Sequence, residues 1–324
     1  MTRNRLRKAA ANGDGKAALQ LADMLVDDHR EEEAVGILRS CAAAGGKEVA
    51  LALADILGVS GDEDYEKEAE TWYRVAVEEG IDGALNDYGV FLSMLDDRSE
   101  GAERLLLQAA HSGDTLAYGN LGKLYQDQER YTEALPWLRE SLAAGHATIL
   151  PFLAQVETEL GDGESAWKHV REAMRHDREG ASLTCARYLV KFGDRHPELS
   201  AEEMFRQAVE WDGDAHFFFA NWLVDEGRYG EAEIQYRLTI DHGEVNAHLN
   251  LANLLEDTGR LLEAQVELRA GIKAGDAWSA VALAYILADA GMRNDMPAVI
   301  RQAEQLGCSR EDLASLWRAY HALP

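Results

Sequence analysis

One period dominates this chain. A small residue recurs at Ala22, Ala54, Gly89, Gly122, Ala154, Ala186, Ala220, Ala252 and Ala284, at intervals of 32, 35, 33, 32, 32, 34, 32 and 32 residues. Repetition at this spacing marks a chain of stacked supersecondary units, none of which can bury its apolar face alone. Within each repeat the apolar residues follow a helical period twice across a short polar turn, as in YGNLGKLYQDQERYTEALPWLRESLAAG and HLNLANLLEDTGRLLEAQVELRAGIKAG. The first helix sets a large residue just before its small one (Leu21, Leu53, Tyr88, Leu121). The second carries Ala34, Ala69, Ala102, Ala134, Ala166, Ala201, Ala232 or Ala264, with Met296 in the last repeat, and an anchor four residues later such as Leu106, Leu138 or Tyr236. Small residues let paired helices approach, and large ones fill the gaps to the next pair.

Most repeats close on a glycine, from Gly45 to Gly307, which accepts the left-handed conformation after a helix; Asp177 and Asp212 replace it twice. Extra residues in the second and sixth repeats, VSGDEDYEKE and FGDRHPELS, are expected as loops on one edge. The pattern predicts one all-α domain over residues 1–324: a half-repeat helix over 3–12, nine helix pairs over 13–307 and a capping helix over 308–324. Such covers are what the exposed ends of a stacked array require.

Charge narrows the partners. With 32 basic and 58 acidic side chains the net charge is −26, which argues against direct nucleic-acid binding. No apolar run reaches the roughly 18 residues of a membrane span, and the start MTRNRLRKAAANGDG has no signal-peptide core, so no membrane association and a cytoplasmic location are expected. Cys41, Cys185 and Cys308 are scattered without a CxxC pair and read as small apolar side chains.

The segments NLGKLYQDQERYTEAL (120–135) and LANLLEDTGRLLEA (251–264) resemble the tetratricopeptide repeat. ETWYRVAVEEG (70–80) and the endings SCAAAG and LQAAHSG resemble its Sel1-like relatives, with glycine where a closing proline is common. The resemblance spans residues 3–322. It implies an α-solenoid, a right-handed superhelix whose first helices line a concave groove that binds peptides or proteins without catalysis.

No catalytic constellation accompanies the repeats. None of the ten histidines forms HExxH, and the acidic run GDEDYEKE lacks the glycine and distal glutamate of a calcium loop. Phosphate loops and nucleophile elbows are also missing, so no catalytic residue, metal or cofactor is expected.

The groove is therefore the candidate site. Positions three before, one after and five after each central small residue share a face. They hold Asp23, Asp27, Asp55, Asp127, Glu159, Asp225, Asp257 and Asp289 against Lys123, Arg187 and Lys191. Several of these acids fall in the last turn of their helix, against the macrodipole. Asn120, Asn221, Asn250 and Asn253 lie beside them; in similar proteins asparagines at matching positions bond a bound peptide's backbone. Arg187 and Lys191 with Asn221 and Asn253 partly imitate a carboxylate clamp, which Asp225 and Asp257 oppose. In the run Phe217, Phe218, Phe219, the first should face the groove and the others pack, with Trp278 and Tyr285 as further anchors. The function expected is a scaffold that binds a protein or extended peptide with a basic segment. The alternative is a regulatory protein whose acidic outer surface masks a basic partner. Oligomeric state stays open.

Overall fold

The computed structural model describes residues 2–322 apart from Gly61, Asp96, Asp97 and Pro197 and the side chain of Asp194. Parts of both insertions and the chain ends at 1, 323 and 324 lie outside the described residues. Every regular element among the described residues is helical, and the chain divides into two parts, Met1–His169 and Val170–Pro324.

The N-terminal part holds α1 (Arg3–Ala11), α2 (Gly15–Val26), α3 (Glu31–Ala43), α4 (Ala50–Gly58), α5 (Glu63–Glu78), α6 (Ala84–Ser93), α7 (Ser99–His111), α8 (Thr115–Asp127), α9 (Tyr131–Ala143) and α10 (Leu150–Glu159). The boundary falls inside α11 (Gly163–His176). The C-terminal part continues with α12 (Ser182–Phe192), α13 (Ala201–Ala208), α14 (Ala215–Asp225), α15 (Tyr229–Asp241), α16 (Ala247–Asp257), α17 (Leu261–Ala274), α18 (Ala277–Asp289), α19 (Met296–Gln305) and α20 (Arg310–Ala322). Outside α11, even-numbered helices pack on the odd one that follows, as α8 on α9 and α14 on α15, and each odd helix then meets the next even one. In the N-terminal part α4, α6, α8 and α10 also touch in succession, so first helices form one row. The terminal helices α1 and α20 each contact both members of the neighbouring pair, α2 with α3 and α18 with α19.

The recurring small residues are the packing points. Ala22, Ala54, Ala154, Ala186, Ala220, Ala252 and Ala284 are buried, as are the anchors Leu106, Leu138, Phe205 and Tyr236 of the second helices. Glycine replaces alanine where helices come closest: a Cβ on Gly89 would lie 2.7 Å from Leu106 Cγ, and one on Gly122 2.5 Å from Leu138 Cγ. The sixth repeat departs from the expected pattern. Ala201 opens α13, behind a Ser200 cap, and is only half-buried, while the anchor Phe205 is buried as in the other repeats.

Helix ends follow local chemistry. Gly275 ends α17 at φ 102°, left-handed backbone that a Cβ would strain. Where Asp177 and Asp212 replace glycine, their carboxylates accept the Gly180 and Asp214 N–H groups at 3.0 Å, three and two residues on, the second closing an Asx turn. The insertion in the second repeat is not the expected loop. Asp62 caps the Asp64 and Tyr65 N–H groups, three acids occupy the first turn, and residues from Glu63 onward lengthen α5 instead.

A ladder of ion pairs ties successive second helices together. Arg98, Arg130, Arg228 and Arg260 each stand at the N-cap of a second helix. Arg130 reaches back to Glu103 of α7 at 2.7 Å and forward to Glu133 at 2.7 Å. Arg228 does the same with Glu202 (2.9 Å) and Glu231 (2.8 Å), and Arg260 with Glu233 (2.6 Å) and Glu263 (2.7 Å). Arg98 bridges to Glu70 at 2.6 Å. The hydrogen bonds from Arg228 and Arg206 hold Glu202 down at about 2, and Arg130 and Arg260 lower Glu103 and Glu233. A depressed carboxylate pKa stabilises the fold above the unfolded value near 4.5 and loses that contribution as pH falls through the folded one. Thermal melts followed by circular dichroism between pH 5 and pH 2 should therefore show falling stability, more shallowly in an Arg130→Gln, Arg228→Gln, Arg260→Gln variant. Equal slopes would remove the ladder as the cause.

Candidate functional site

The face carrying the candidate residues belongs to the first helices. Asp127, Glu159, Asp225, Asp257 and Asp289 are the final residues of α8, α10, α14, α16 and α18, where unpaired carbonyls make a negative charge unfavourable. Asp23 and Asp55 lie inside α2 and α4, and Asp27 follows α2.

In the N-terminal part, Asn120 and Lys123 line one cavity of about 220 Å³ with Asn86, Ser141, His146 and Thr148. The Asn120 amide donates to Asn86 Oδ1 (2.8 Å), and Asn86 donates to Asp87 Oδ1 (2.9 Å). Part of the bonding capacity expected for a ligand's backbone is thus spent within the protein. Lys123 sits 4.4 Å from the Phe152 ring centroid and opposes the burial that raises Asp127.

A second cavity there, about 310 Å³, lies among α4, α5 and α6 and is lined by Asp55, Gly58, Val59, Tyr73, Asp87, Val90, Phe91 and Met94. Tyr73 donates its hydroxyl to Asp55 Oδ1 at 2.9 Å and stacks on Tyr88 with centroids 5.4 Å apart. Burial pushes Asp55 up to about 6, with the Asp87 charge adding to the rise and the Tyr73 bond opposing it. Asp87 is also raised, by burial and by Asp114, against the Asn86 bond. Tyr73 is raised by burial and by Asp55.

In the C-terminal part, Phe217 is half-buried, edge-on to Tyr236 at 6.3 Å and to Phe218 at 5.7 Å. Tyr236 donates to Asn221 Oδ1 at 2.6 Å, and burial with the Asp225 charge pushes the phenol up to about 12. Phe217, Asn221 and Asp225 therefore converge on one buried tyrosine. The Arg187 guanidinium lies 4.6 Å from the Phe218 centroid, so that ring carries one of the candidate cations. Phe219 packs into the core on Phe205. Lys191, Asn253, Asp257, Tyr285 and Asp289 are exposed, as is Trp278; Asn250 is half-buried. Asn120 and Lys123 belong to one part of the chain and the other ten candidates to the other.

Asp87 is the residue that sequence reasoning passed over. It stands two positions before Gly89, the register of Asn120 and Asn250, so a search for acids at those asparagine positions finds it. Among the described residues no helix is long and apolar enough to cross a membrane, and no group of three or more His, Cys, Asp or Glu could hold a metal ion.

A tetratricopeptide repeat profile matches residues 116–144, the α8–α9 pair. No curated protein matches the chain in sequence. Among solved structures, yeast Tom70 superposes with a TM-score of 0.62 at 13% identity, covering 96% of this chain and 82% of its own. Human IFIT1, a dimer with m7Gppp-AAAA, superposes at 0.57 with 12% identity, covering 94% and 95%. The Cut9–Hcn1 hetero-tetramer of the APC/C superposes at 0.50 with 15% identity, covering 95% and 63%. A matched repeat at α8–α9, helix pairs throughout and a shared fold over nearly the whole length make this protein an α-solenoid of the tetratricopeptide-repeat type.

Proposed function

We propose that this protein is a non-catalytic scaffold that holds a basic, extended segment of a partner protein along the face of its first helices. The observation that carries the reading is the placement of the carboxylates. Asp127, Asp225, Asp257 and Asp289 end helices whose dipoles disfavour them, and Asp55, Asp87 and Asp127 are held against a desolvation cost. A passing cation would relieve both penalties. Second-helix acids such as Glu103, Glu202 and Glu233 are already paired with arginines, which favours the first-helix face over an outer masking surface. The Cut9–Hcn1 assembly illustrates a chain of this fold joined to another protein. IFIT1 was seen with m7Gppp-AAAA, but a chain at −26 would repel such an anion.

A fluorescent twelve-residue peptide alternating lysine with glycine and serine serves as probe. At low salt the variant Asp225→Lys, Asp257→Lys, Asp289→Lys should bind it at least about tenfold more weakly, with a shallower salt dependence. Unchanged affinity would overturn the groove reading in favour of the outer surface. Tighter binding of m7Gppp-AAAA than of the peptide would overturn the choice of a protein partner.

A further inference from the structure

We propose that the cavity among α4, α5 and α6 is an anchor pocket for a single arginine side chain of the bound segment. The proposal rests on the groove reading for the origin of that arginine, though the pocket is testable alone. Its walls are apolar and aromatic: Val90 and the buried Phe91 and Tyr73 rings line it, while Val59 and Met94 stand 82% and 71% exposed at the rim. An exposed valine and methionine beside a cavity suit the three-methylene stem of an arginine. The polar groups of the lining are two half-buried carboxylates, each with one oxygen held by a neutral donor, Tyr73 for Asp55 and Asn86 for Asp87. Among the described residues neither carboxylate has an ion-pair partner, and the charges that bear on them, including Asp114 behind Asp87, are all negative.

Carboxylates packed near each other in a half-buried site without a cation are mutually repulsive, and what the site lacks is positive charge. A guanidinium supplies that charge on a planar fork able to bond carboxylates on two sides, and its face can rest on Phe91. An ammonium would supply the charge but neither the fork nor the plane. The geometry also protects the pocket from self-occupation. Arg74 and Arg98, the nearby arginines, are both bonded to Glu70 on the ladder edge.

The probes are N-acetyl-arginine amide, its neutral isostere N-acetyl-citrulline amide and N-acetyl-lysine amide, titrated into the full chain labelled at methionine methyls and observed by NMR. The Met94 methyl should shift with the arginine compound, at least tenfold less tightly with citrulline, and with lysine in between. Asp55→Asn with Asp87→Asn should abolish the response, although asparagine can still accept the Tyr73 hydroxyl. The same double variant should melt about 2–4 °C higher, because it removes desolvated charges; a merely structural pair would melt lower. The groups facing the pocket are Asp55 on α4, Tyr73 on α5 and Asp87 on α6, with Asp114 beyond. Since protonation of Asp55 at about 6 competes with the cation, affinity should fall about tenfold between pH 7.5 and pH 5. Equal binding of arginine and citrulline, an unmoved Met94 methyl, or full affinity in the double variant would each overturn the pocket. The Asp225, Asp257 and Asp289 reversal leaves this titration untouched, so loss of the groove reading and loss of the pocket are read separately.

Discussion

Alanine at Gly122 is expected to destabilise the protein by about 2 kcal/mol, while alanine at Gly36 stabilises it by roughly 0.5–1 kcal/mol. Both glycines sit inside helices, α8 and α3, so both changes gain the intrinsic preference for alanine, about 1 kcal/mol. The difference lies in what the methyl meets. At Gly36 nothing lies within 4 Å. At Gly122 the new Cβ overlaps Leu138 Cδ2, stands 2.5 Å from its Cγ and is 3.4 Å from its backbone nitrogen. Leu138 is fully buried, so it cannot swing clear, and either α9 moves off α8 or the leucine leaves its rotamer. Overpacking of that kind costs up to about 3 kcal/mol, which outweighs the helical gain. Because repeats unfold in pieces, urea titrations should be read with amide exchange in α8 and α9 as well as by global ellipticity. A stabilised Gly122→Ala protein would mean that the α8–α9 approach is looser than the structure has it.

That contrast marks where sequence reading stops. The repeat, its small central residues and the helix-ending glycines follow from spacing alone, since each reflects a requirement met again every 32 or so residues. Which repeat needs glycine rather than alanine depends on helix separations that periodicity does not encode. The arginine ladder was half visible: ERYTE, GRYGE and GRLLE repeat an Arg-x-x-Glu signature at second-helix starts. Its other half, Glu103, Glu202 and Glu233, lies 26 or 27 residues earlier and is lost among 58 acids. Asn120 and Asn221 have the side chains a peptide site would use, yet Asn86 and Tyr236 already bond them, and a stripe drawn on one helix carries no information about the next. Asp87 escaped for the same reason, because its significance comes from Asp55 on a different helix.

The second large effect is expected at a buried carboxylate that no motif announced. Glu157 in α10 has a side chain 1% exposed, bonded to Arg139 of α9 at 3.0 Å and to His169 of α11 at 2.7 Å. Arg139→Met should cost about 2–3 kcal/mol, since it leaves a buried carboxylate with the imidazole alone, below the full cost of stranding one because that imidazole can still donate. Adding Glu157→Gln to Arg139→Met should then recover most of the loss, because the glutamine oxygen still accepts from His169 and no charge stays buried. The double-mutant cycle should give a coupling of about 1.5 kcal/mol or more, measured by urea unfolding together with amide exchange in α10. A coupling near zero would mean that Arg139, whose side chain is 52% exposed, contributes only a solvated contact. The consequence reaches the proposed binding face, because α10 ends in Glu159, one of the acids on the first-helix stripe. A triad that fixes the last turn of α10 against α9 and α11 also fixes the direction in which that terminal carboxylate is presented. Arg139→Met should therefore weaken the lysine-rich peptide no further than a Glu159→Gln protein does, since its effect on that stripe runs through the last turn of α10.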